Sequence, residues 1–187
     1  MTQERPIQVL GINGSLRDGS YNGALLRAAA ELLPPGVTLE ITNLAGIPPF
    51  NQDEEKPLPQ AVALLRARMA AADALLFSTP EYNSSVSGVL KNALDWASRG
   101  RDMPLAGKPA AVMGASTGAF GTARAQLHLR QVLAHLGVLV LPKPEVMVMH
   151  AAEAFDEQGR LVNENTRGFL GQLLAALADW TRLLTSG

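Results

Sequence analysis

Five short apolar segments alternate with five segments of helical periodicity along the whole chain. In the helical segments, apolar side chains recur three and four positions apart. This alternation is typical of an open, mostly parallel sheet with helices on both faces. The predicted strands are IQVLGI (7–12), VTLEIT (37–42), DALLFSTP (73–80), KPAAVMGAS (108–116) and VLVLP (138–142). The predicted helices lie near residues 21–33, 60–72, 85–98, 129–136 and 169–180.

Length and charge limit the class of protein. The chain has 187 residues, and we predict a single domain over 1–187. Its 16 basic and 17 acidic residues give a net charge of -1, which argues against a nucleic-acid or membrane-surface partner. The absence of cysteine excludes disulfides, thiol catalysis and cysteine zinc sites. Neither a signal peptide nor a run of about 20 apolar residues is recognisable, so we expect a cytoplasmic protein.

Three loops rich in small polar residues follow the first, third and fourth predicted strands. They are GSLRDGSYN (14–22), TPEYNSSVSG (79–88) and GASTGAFGTAR (114–124). Ligands of open parallel sheets bind beyond the carboxyl ends of the strands, near the point where the strand order reverses. We therefore expect the three loops to form one binding site.

The first loop has the composition of an anion site. Its small residues allow backbone N–H groups to approach a ligand, and the following helix adds unpaired donors and a positive dipole end. Ser15, Ser20 and Asn22 add side-chain donors, and Arg17 adds a positive charge. The loop matches neither the dinucleotide fingerprint nor a Walker loop. A terminal phosphate is the expected ligand, and the alternative is a flexible turn in which Ser20 or Asn22 simply caps the helix.

The second loop combines a helix cap with an aromatic residue at the sheet edge. Ser84 or Ser85 is expected to cap the next helix. The preceding Glu81-Tyr82-Asn83 presents backbone amides and a ring, which suit a flat heteroaromatic ligand. The alternative is an ordinary turn with a surface tyrosine.

Taken in order, the three loops resemble those of one family. The chain contains G-S-L-R-x-G-S-x-N after the first strand, P-E-Y-N-x-S-x-x-G-x-L-K-N-x-x-D-W after the third and G-x-S-x-G-x-x-G after the fourth. Over residues 6–150 it resembles the NAD(P)H-dependent FMN reductase family, the flavodoxin-like group that includes quinone and chromate reductases. The resemblance implies bound FMN and a flavodoxin-like three-layer α/β/α sandwich, with a five-stranded parallel sheet in the order 2-1-3-4-5.

The same resemblance implies roles for individual residues. The set implied around the FMN phosphate is Ser15, Leu16, Arg17, Ser20 and Asn22. The set implied along the isoalloxazine ring is Pro80, Glu81, Tyr82 and Asn83, largely through backbone groups, with Ser116, Thr117 and Gly118 on the other side. The helix that family members use at a subunit interface is matched by Gly88, Lys91, Asn92, Asp95 and Trp96. For Trp96, a core position is equally open.

The reaction implied by the family is hydride transfer from NAD(P)H to FMN, followed by reduction of a quinone, chromate, azo or flavin acceptor in a ping-pong sequence. Because the flavin supplies the chemistry, no catalytic side chain and no metal ligand are predicted. The family alone implies NADPH as the preferred coenzyme and a homodimer or homotetramer. Two alternatives remain open: a non-enzymatic flavodoxin-type electron carrier, whose usual acidity this chain lacks, and a phosphate-binding module without redox chemistry.

Two segments follow the predicted fifth strand. EVMVM (145–149) can extend that strand. HAAEAFDEQGRLVNEN (150–165) is expected to be a surface loop with a turn at Gln158-Gly159.

Overall fold

A computed structural model describes residues 5–185. The strands are β1 Ile7–Asn13, β2 Val37–Thr42, β3 Ala74–Ser78, β4 Glu81–Tyr82, β5 Ser85–Val86, β6 Pro109–Ala115, β7 Leu139–Val140 and β8 Val146–Val148. The helices are α1 Tyr21–Glu31, α2 Gln60–Ala71, α3 Gly88–Ala97, α4 Ala123–His135, α5 Ala151–Ala154 and α6 Glu164–Thr185, with one 3-10 turn at Gln52–Glu54.

The main sheet is parallel throughout and has the order β2-β1-β3-β6-β7, with β8 also paired to β6. This order confirms the predicted 2-1-3-4-5 arrangement. The fifth position is split, because β7 pairs with the start of β6 and β8 with its end. Pro142 and Pro144 lie between the two pieces, and proline lacks the N–H that a strand ladder requires. Strand β7 is therefore shorter than the strand predicted over 138–142. After a break, β8 continues this position of the sheet at 146–148.

The two faces of the sheet bury separate apolar layers. Along β3 every residue is buried, and alternate side chains belong to opposite layers: Leu76 faces α1 and α6, whereas Leu75 and Phe77 face α2, α3 and α4. Helices thus cover both faces, which confirms the three-layer α/β/α sandwich. A strand in this position has no solvent face, and this explains its nearly continuous apolar sequence.

The segment 150–165 is more ordered than a surface loop. It begins with α5, and Phe155 then pairs with Leu161 in an isolated antiparallel bridge. Both side chains are buried in the layer under α1 and α6, and the ring of Phe155 lies 5.5 Å from that of Tyr21. The surface-loop prediction is therefore wrong for these residues, because two apolar side chains in a polar segment suffice to anchor it. The turn near Gly159 is present, with a φ of 72° at this glycine.

The final helix, α6, buries only one of its faces. Leu170, Leu173, Leu174 and Leu177 lie in the core, whereas Phe169 remains exposed. Within residues 5–185, no helix combines the length and the apolar character needed to cross a bilayer.

Candidate functional site

The carboxyl ends of β3 and β6 meet at the side chain of Asn22, the second residue of α1. Asn22 is only 3% exposed. Its Nδ2 donates to the Ala115 carbonyl (2.9 Å), and its Oδ1 accepts from the Ala115 N–H (3.0 Å) and from the Ser78 hydroxyl (3.1 Å). The amide therefore pairs with β6 as a strand residue would. Both the nitrogen and the oxygen of the amide thus have partners inside the protein, and the side chain of Asn22 fixes the end of the first loop to β3 and β6.

Two serines of the first loop are also held by internal hydrogen bonds. The Ser20 hydroxyl caps α1 by accepting from the N–H groups of Asn22 (3.2 Å) and Gly23 (3.3 Å). Ser15 is buried, and its N–H donates to the Asn13 side chain (3.1 Å). These contacts set the shape of the loop, and the capping role considered for Ser20 is present.

The tip of the first loop keeps free donors. Leu16 and Arg17 are exposed. Among the described residues, no hydrogen-bond partner exists for the guanidinium of Arg17 or for the backbone N–H groups of Leu16, Asp18 and Gly19. Three backbone donors and one cation beside the positive end of α1 suit a small, highly charged anion.

The second loop is a β-hairpin with a two-residue turn. Strands β4 and β5 are antiparallel, and the turn residues Asn83 and Ser84 have φ values of 49° and 62°. Positive φ at both positions is the signature of the type I′ turn that short hairpins favour. The hairpin exposes Tyr82 (48%) above the buried Pro80.

Helix α3 begins at Gly88, because Ser87 caps it. The Ser87 hydroxyl accepts from the Leu90 N–H (3.4 Å) and donates to the Gly14 carbonyl (2.6 Å). The prediction that Ser84 or Ser85 caps this helix is wrong, because both lie in the hairpin. Ser87 was not among the predicted site residues, yet it joins the first loop to the second.

The third loop packs closely against the end of β3. A Cβ at Gly114 would overlap the Thr79 carbonyl and the Thr122 hydroxyl, so only glycine allows this approach. The Ser116 hydroxyl accepts from the Gly118 N–H (3.2 Å) and closes the start of the loop. Ser116 is half-buried, whereas Thr117 and Gly118 are exposed. The loop therefore presents a small, open edge beside the hairpin.

The side chain of Glu81 is buried against the start of α4. It is 5% exposed and forms an ion pair with Arg124 at the start of α4 (2.6 Å). His128 of the same helix lies 3.0 Å from the Ser85 hydroxyl. The hairpin is thus fastened to α4, through residues more than 40 positions apart that carry no local sequence signal.

Trp96 belongs to the core of this chain. It is fully buried, and its Nε1 donates to the Pro48 carbonyl (2.9 Å). Asn92 donates to the same carbonyl (2.8 Å) and accepts from the Phe50 N–H (2.7 Å). Of the two roles considered for Trp96, the structure shows the core role, and together with Asn92 it anchors the loop after β2.

The sequence of the chain matches the family described as NADPH-dependent FMN reductase over residues 7–153. The chain belongs to this family. The match spans all three loops of the site and every strand of the main sheet, and it confirms the resemblance drawn from the motifs. The protein is therefore an oxidoreductase of the NADPH-dependent FMN reductase family, with FMN as cofactor and NAD(P)H as reductant.

Individual relatives extend the comparison over nearly the whole chain. An NAD(P)H-dependent FMN reductase of Pseudomonas aeruginosa is 56% identical over 179 residues, which are 95% of this chain and 97% of that protein. A 2-hydroxy-1,4-benzoquinone reductase of a Burkholderia species is 40% identical, covering 94% and 97%. Among solved structures, a flavoenzyme NAD(P)H:(acceptor) oxidoreductase of Paracoccus denitrificans has a TM-score of 0.87 at 35% identity, covering 95% and 98%.

The residues of the site fit FMN. The backbone donors at the tip of the first loop and Arg17, which have no partner in the described part of the chain, suit its phosphate. The close approach at Gly114 packs the start of the third loop against Thr79, which leads into the hairpin, and Tyr82 and Thr117 are exposed on the two loops. A flat ring is the ligand shape that such an edge accommodates.

Proposed function

We propose that the three loops hold FMN and that the enzyme passes electrons from NAD(P)H to a quinone. One observation carries the assignment of the site: backbone donors and an arginine that have no partner within residues 5–185 lie at the sheet edge where the three loops converge. The quinone acceptor is supported by the Burkholderia relative, which is named for a benzoquinone substrate. Chromate, azo compounds and free flavin are further candidate acceptors for the same open site.

The proposed roles divide between the two ends of the site. Ser15, Leu16, Arg17 and Ser20 surround the phosphate, and Asn22 holds their loop in place. The backbone of residues 80–83 lines one side of the ring, and residues 116–118 line the other. When bound at these residues, FMN would supply the redox chemistry between NAD(P)H and the acceptor.

The protein contributes binding and orientation rather than acid–base catalysis. The carboxylate of Glu81 forms an ion pair with Arg124. Tyr82 of the hairpin and Thr117 of the third loop are both exposed, so the proposed ring site between these loops is open to solvent. NAD(P)H and the acceptor would therefore occupy the same open space in turn. We infer a ping-pong sequence, in which double-reciprocal plots at several fixed acceptor concentrations give parallel lines.

Phosphate recognition is tested by comparing FMN with riboflavin, which lacks the phosphate. Arg17→Met is expected to weaken FMN binding about tenfold, the effect of losing one charge-assisted hydrogen bond. Riboflavin affinity should not change. Arg101→Met is the matched control, because Arg101 is an exposed arginine outside the three loops. Flavin fluorescence titrations measure both ligands, and equal losses for FMN and riboflavin would contradict the phosphate assignment.

The reaction is tested with the FMN-loaded protein. NADPH should bleach its yellow colour within seconds, and steady-state turnover with NADH and NADPH should be measured against benzoquinones, chromate, an azo dye and free FMN. Failure of the purified protein to retain FMN would overturn the site assignment. Rapid bleaching without turnover of any quinone would overturn the choice of acceptor.

We also propose that the whole chain acts as one cytoplasmic domain that assembles as a homodimer or homotetramer. The family resemblance supports assembly, and so do the exposed apolar side chains of Phe120, Leu127, Met149 and Phe169. Light scattering coupled to gel filtration should give two or four times the chain mass of 19.8 kDa. A monomer at micromolar concentration would contradict this proposal.

A further inference from the structure

Helix α4, which follows the third loop, receives its N-terminal cap from a different loop. Within the described residues, its own N-cap residue, Thr122, makes no side-chain capping bond. Instead, Glu81 Oε2 accepts from the N–H groups of Arg124 (3.0 Å) and Ala125 (3.1 Å). Glu81 Oε1 accepts from Nε of Arg124 (2.6 Å). One carboxylate thus satisfies two first-turn donors and one guanidinium.

This contact is well placed to be strong. The Glu81 side chain is 5% exposed, so water competes little for its oxygens. A carboxylate at the start of a helix also interacts favourably with the helix dipole. The same guanidinium lies 5.1 Å above the ring of Phe120 in the third loop. The chain of contacts therefore runs from the hairpin, through Glu81 and Arg124, into the loop on the other side of the site.

We propose that Glu81 is a positioning residue whose side-chain carboxylate fixes the spacing between the hairpin and the third loop, and so sets the affinity for the flavin ring. The inference rests on the proposed function, because it assigns the ring to these two loops. It gives the side chain of Glu81 a role distinct from that of its backbone. Within residues 5–185, the hydrogen bonds of the Glu81 side chain go to Arg124 and Ala125 of α4 and not to the first loop.

Two substitutions at this position separate the parts of the role. Glu81→Gln keeps one acceptor oxygen, but it turns an amide donor toward backbone donors and loses the ion pair. Glu81→Asp keeps both carboxylate oxygens and the charge on a shorter stem. We therefore expect Glu81→Gln to break the cap and Glu81→Asp to retain part of it.

Asp156 provides a matched control. Its carboxylate also accepts from two backbone N–H groups, those of Gln158 (3.0 Å) and Arg160 (2.8 Å), and from Nε of Arg160 (2.7 Å). This turn lies outside the three loops. Asp156→Asn thus removes the same kind of carboxylate without touching the proposed site.

The first measurement is amide hydrogen exchange of the protein without flavin, which reads the cap independently of any cofactor. In Glu81→Gln, the amides of Arg124 and Ala125 should exchange about 2-fold to 30-fold faster, the range expected for loss of a helix cap. Glu81→Asp should lie between this variant and the wild type. Unchanged exchange in Glu81→Gln would overturn the capping role.

The second measurement is affinity for FMN and for riboflavin. Because the two loops are assigned to the ring, Glu81→Gln should weaken both ligands by the same factor, about 2-fold to 30-fold. This outcome differs from that of Arg17→Met, which should affect FMN alone. Asp156→Asn should leave both affinities unchanged.

The remaining outcomes overturn one proposal or the other. Faster exchange with unchanged flavin affinities would show a purely structural cap and would overturn the positioning role. Equal losses of affinity in Glu81→Gln and Asp156→Asn would have the same consequence, since they would reflect general destabilisation. A wild-type protein that binds neither flavin would overturn the proposed function, and the positioning role would fall with it, whereas the exchange experiment would still report on the cap.

Discussion

Replacing Asn22 by alanine removes the amide that joins α1 to β6. The side chain forms two hydrogen bonds with the peptide groups of Ala115, one to the N–H and one to the carbonyl. Both lie in a buried region, so water cannot simply replace the lost partner. The Ser78 hydroxyl is a different case, because it also donates to the backbone carbonyl of Asn22 (3.1 Å), which alanine retains.

The expected cost follows from these two bonds. Leaving a buried backbone donor or acceptor unsatisfied costs about 1–3 kcal/mol. Two such groups therefore give a loss of about 2–6 kcal/mol. The better helix propensity of alanine offsets at most about 0.7 kcal/mol of it. The loss is large compared with a total free energy of unfolding of about 5–15 kcal/mol.

Urea unfolding of the flavin-free protein, followed by circular dichroism, measures this loss without any contribution from ligand binding. The control is Asn163→Ala, since the side-chain oxygen of Asn163 accepts from the Thr166 backbone and hydroxyl at the exposed start of α6 (2.9 and 3.0 Å). Losing that cap should cost about 1 kcal/mol. If Asn22→Ala is no more destabilised than Asn163→Ala, the two buried hydrogen bonds between Asn22 and Ala115 do not stabilise the fold as expected.

Three further predictions concern Gly114, Ser84 and Asp156. Gly114→Ala would push a methyl group into a backbone carbonyl and should lower the free energy of unfolding by about 1–3 kcal/mol. In the control Gly19→Ala, a Cβ would meet nothing within 4 Å, so the free energy of unfolding should change by less than about 1 kcal/mol. Urea titration of the two variants measures the difference. Ser84→Gly relieves a positive φ of 62° and should stabilise by about 1 kcal/mol, seen as a higher Tm. In Asp156, the hydrogen bond from the Arg160 backbone lowers the carboxyl pKa below 3.8, so its stabilisation is present above pH 3.8 and is lost as the pH falls through the lowered pKa. The stability difference between wild type and Asp156→Asn should therefore shrink on acidification, as urea titrations at neutral and acidic pH can measure.

Each of these predictions has a clear contrary result. Equal stability of the two glycine variants would mean that the backbone at Gly114 can move apart. A lower Tm for Ser84→Gly would mean that the serine side chain contributes more than its strained backbone costs. A stability difference for Asp156→Asn that grows toward acid would show that the native pKa is raised.

The arrangement of strands and helices could be predicted because burial leaves a periodic trace along the chain. The apolar run of β3 and the stripe of α3 are examples, since each side chain there meets the core directly. The break in the fifth strand was also within reach, because Pro142 and Pro144 are incompatible with a continuous ladder.

The inner connections of the site could not be predicted in the same way. A motif fixes residue types and spacing, but it does not fix the direction of a side chain. Asn22 stands in a loop motif that implies a ligand, yet its amide points to a residue 93 positions later. Glu81 likewise meets Arg124 across 43 positions. Such contacts depend on how two distant segments pack together, and no sequence pattern in either segment indicates its partner.

The bond between Asn22 and Ala115 has a consequence for biosynthesis. During translation the first loop emerges from the ribosome long before its support exists, because the chain must grow by 93 positions, which takes about 5–19 s at the usual 5–20 residues per second. If the first loop holds the phosphate as proposed, we expect FMN to bind only late in the synthesis of the chain. Stalled chains that end before residue 115 should fail to retain FMN, whereas full-length chains released from the ribosome should acquire it.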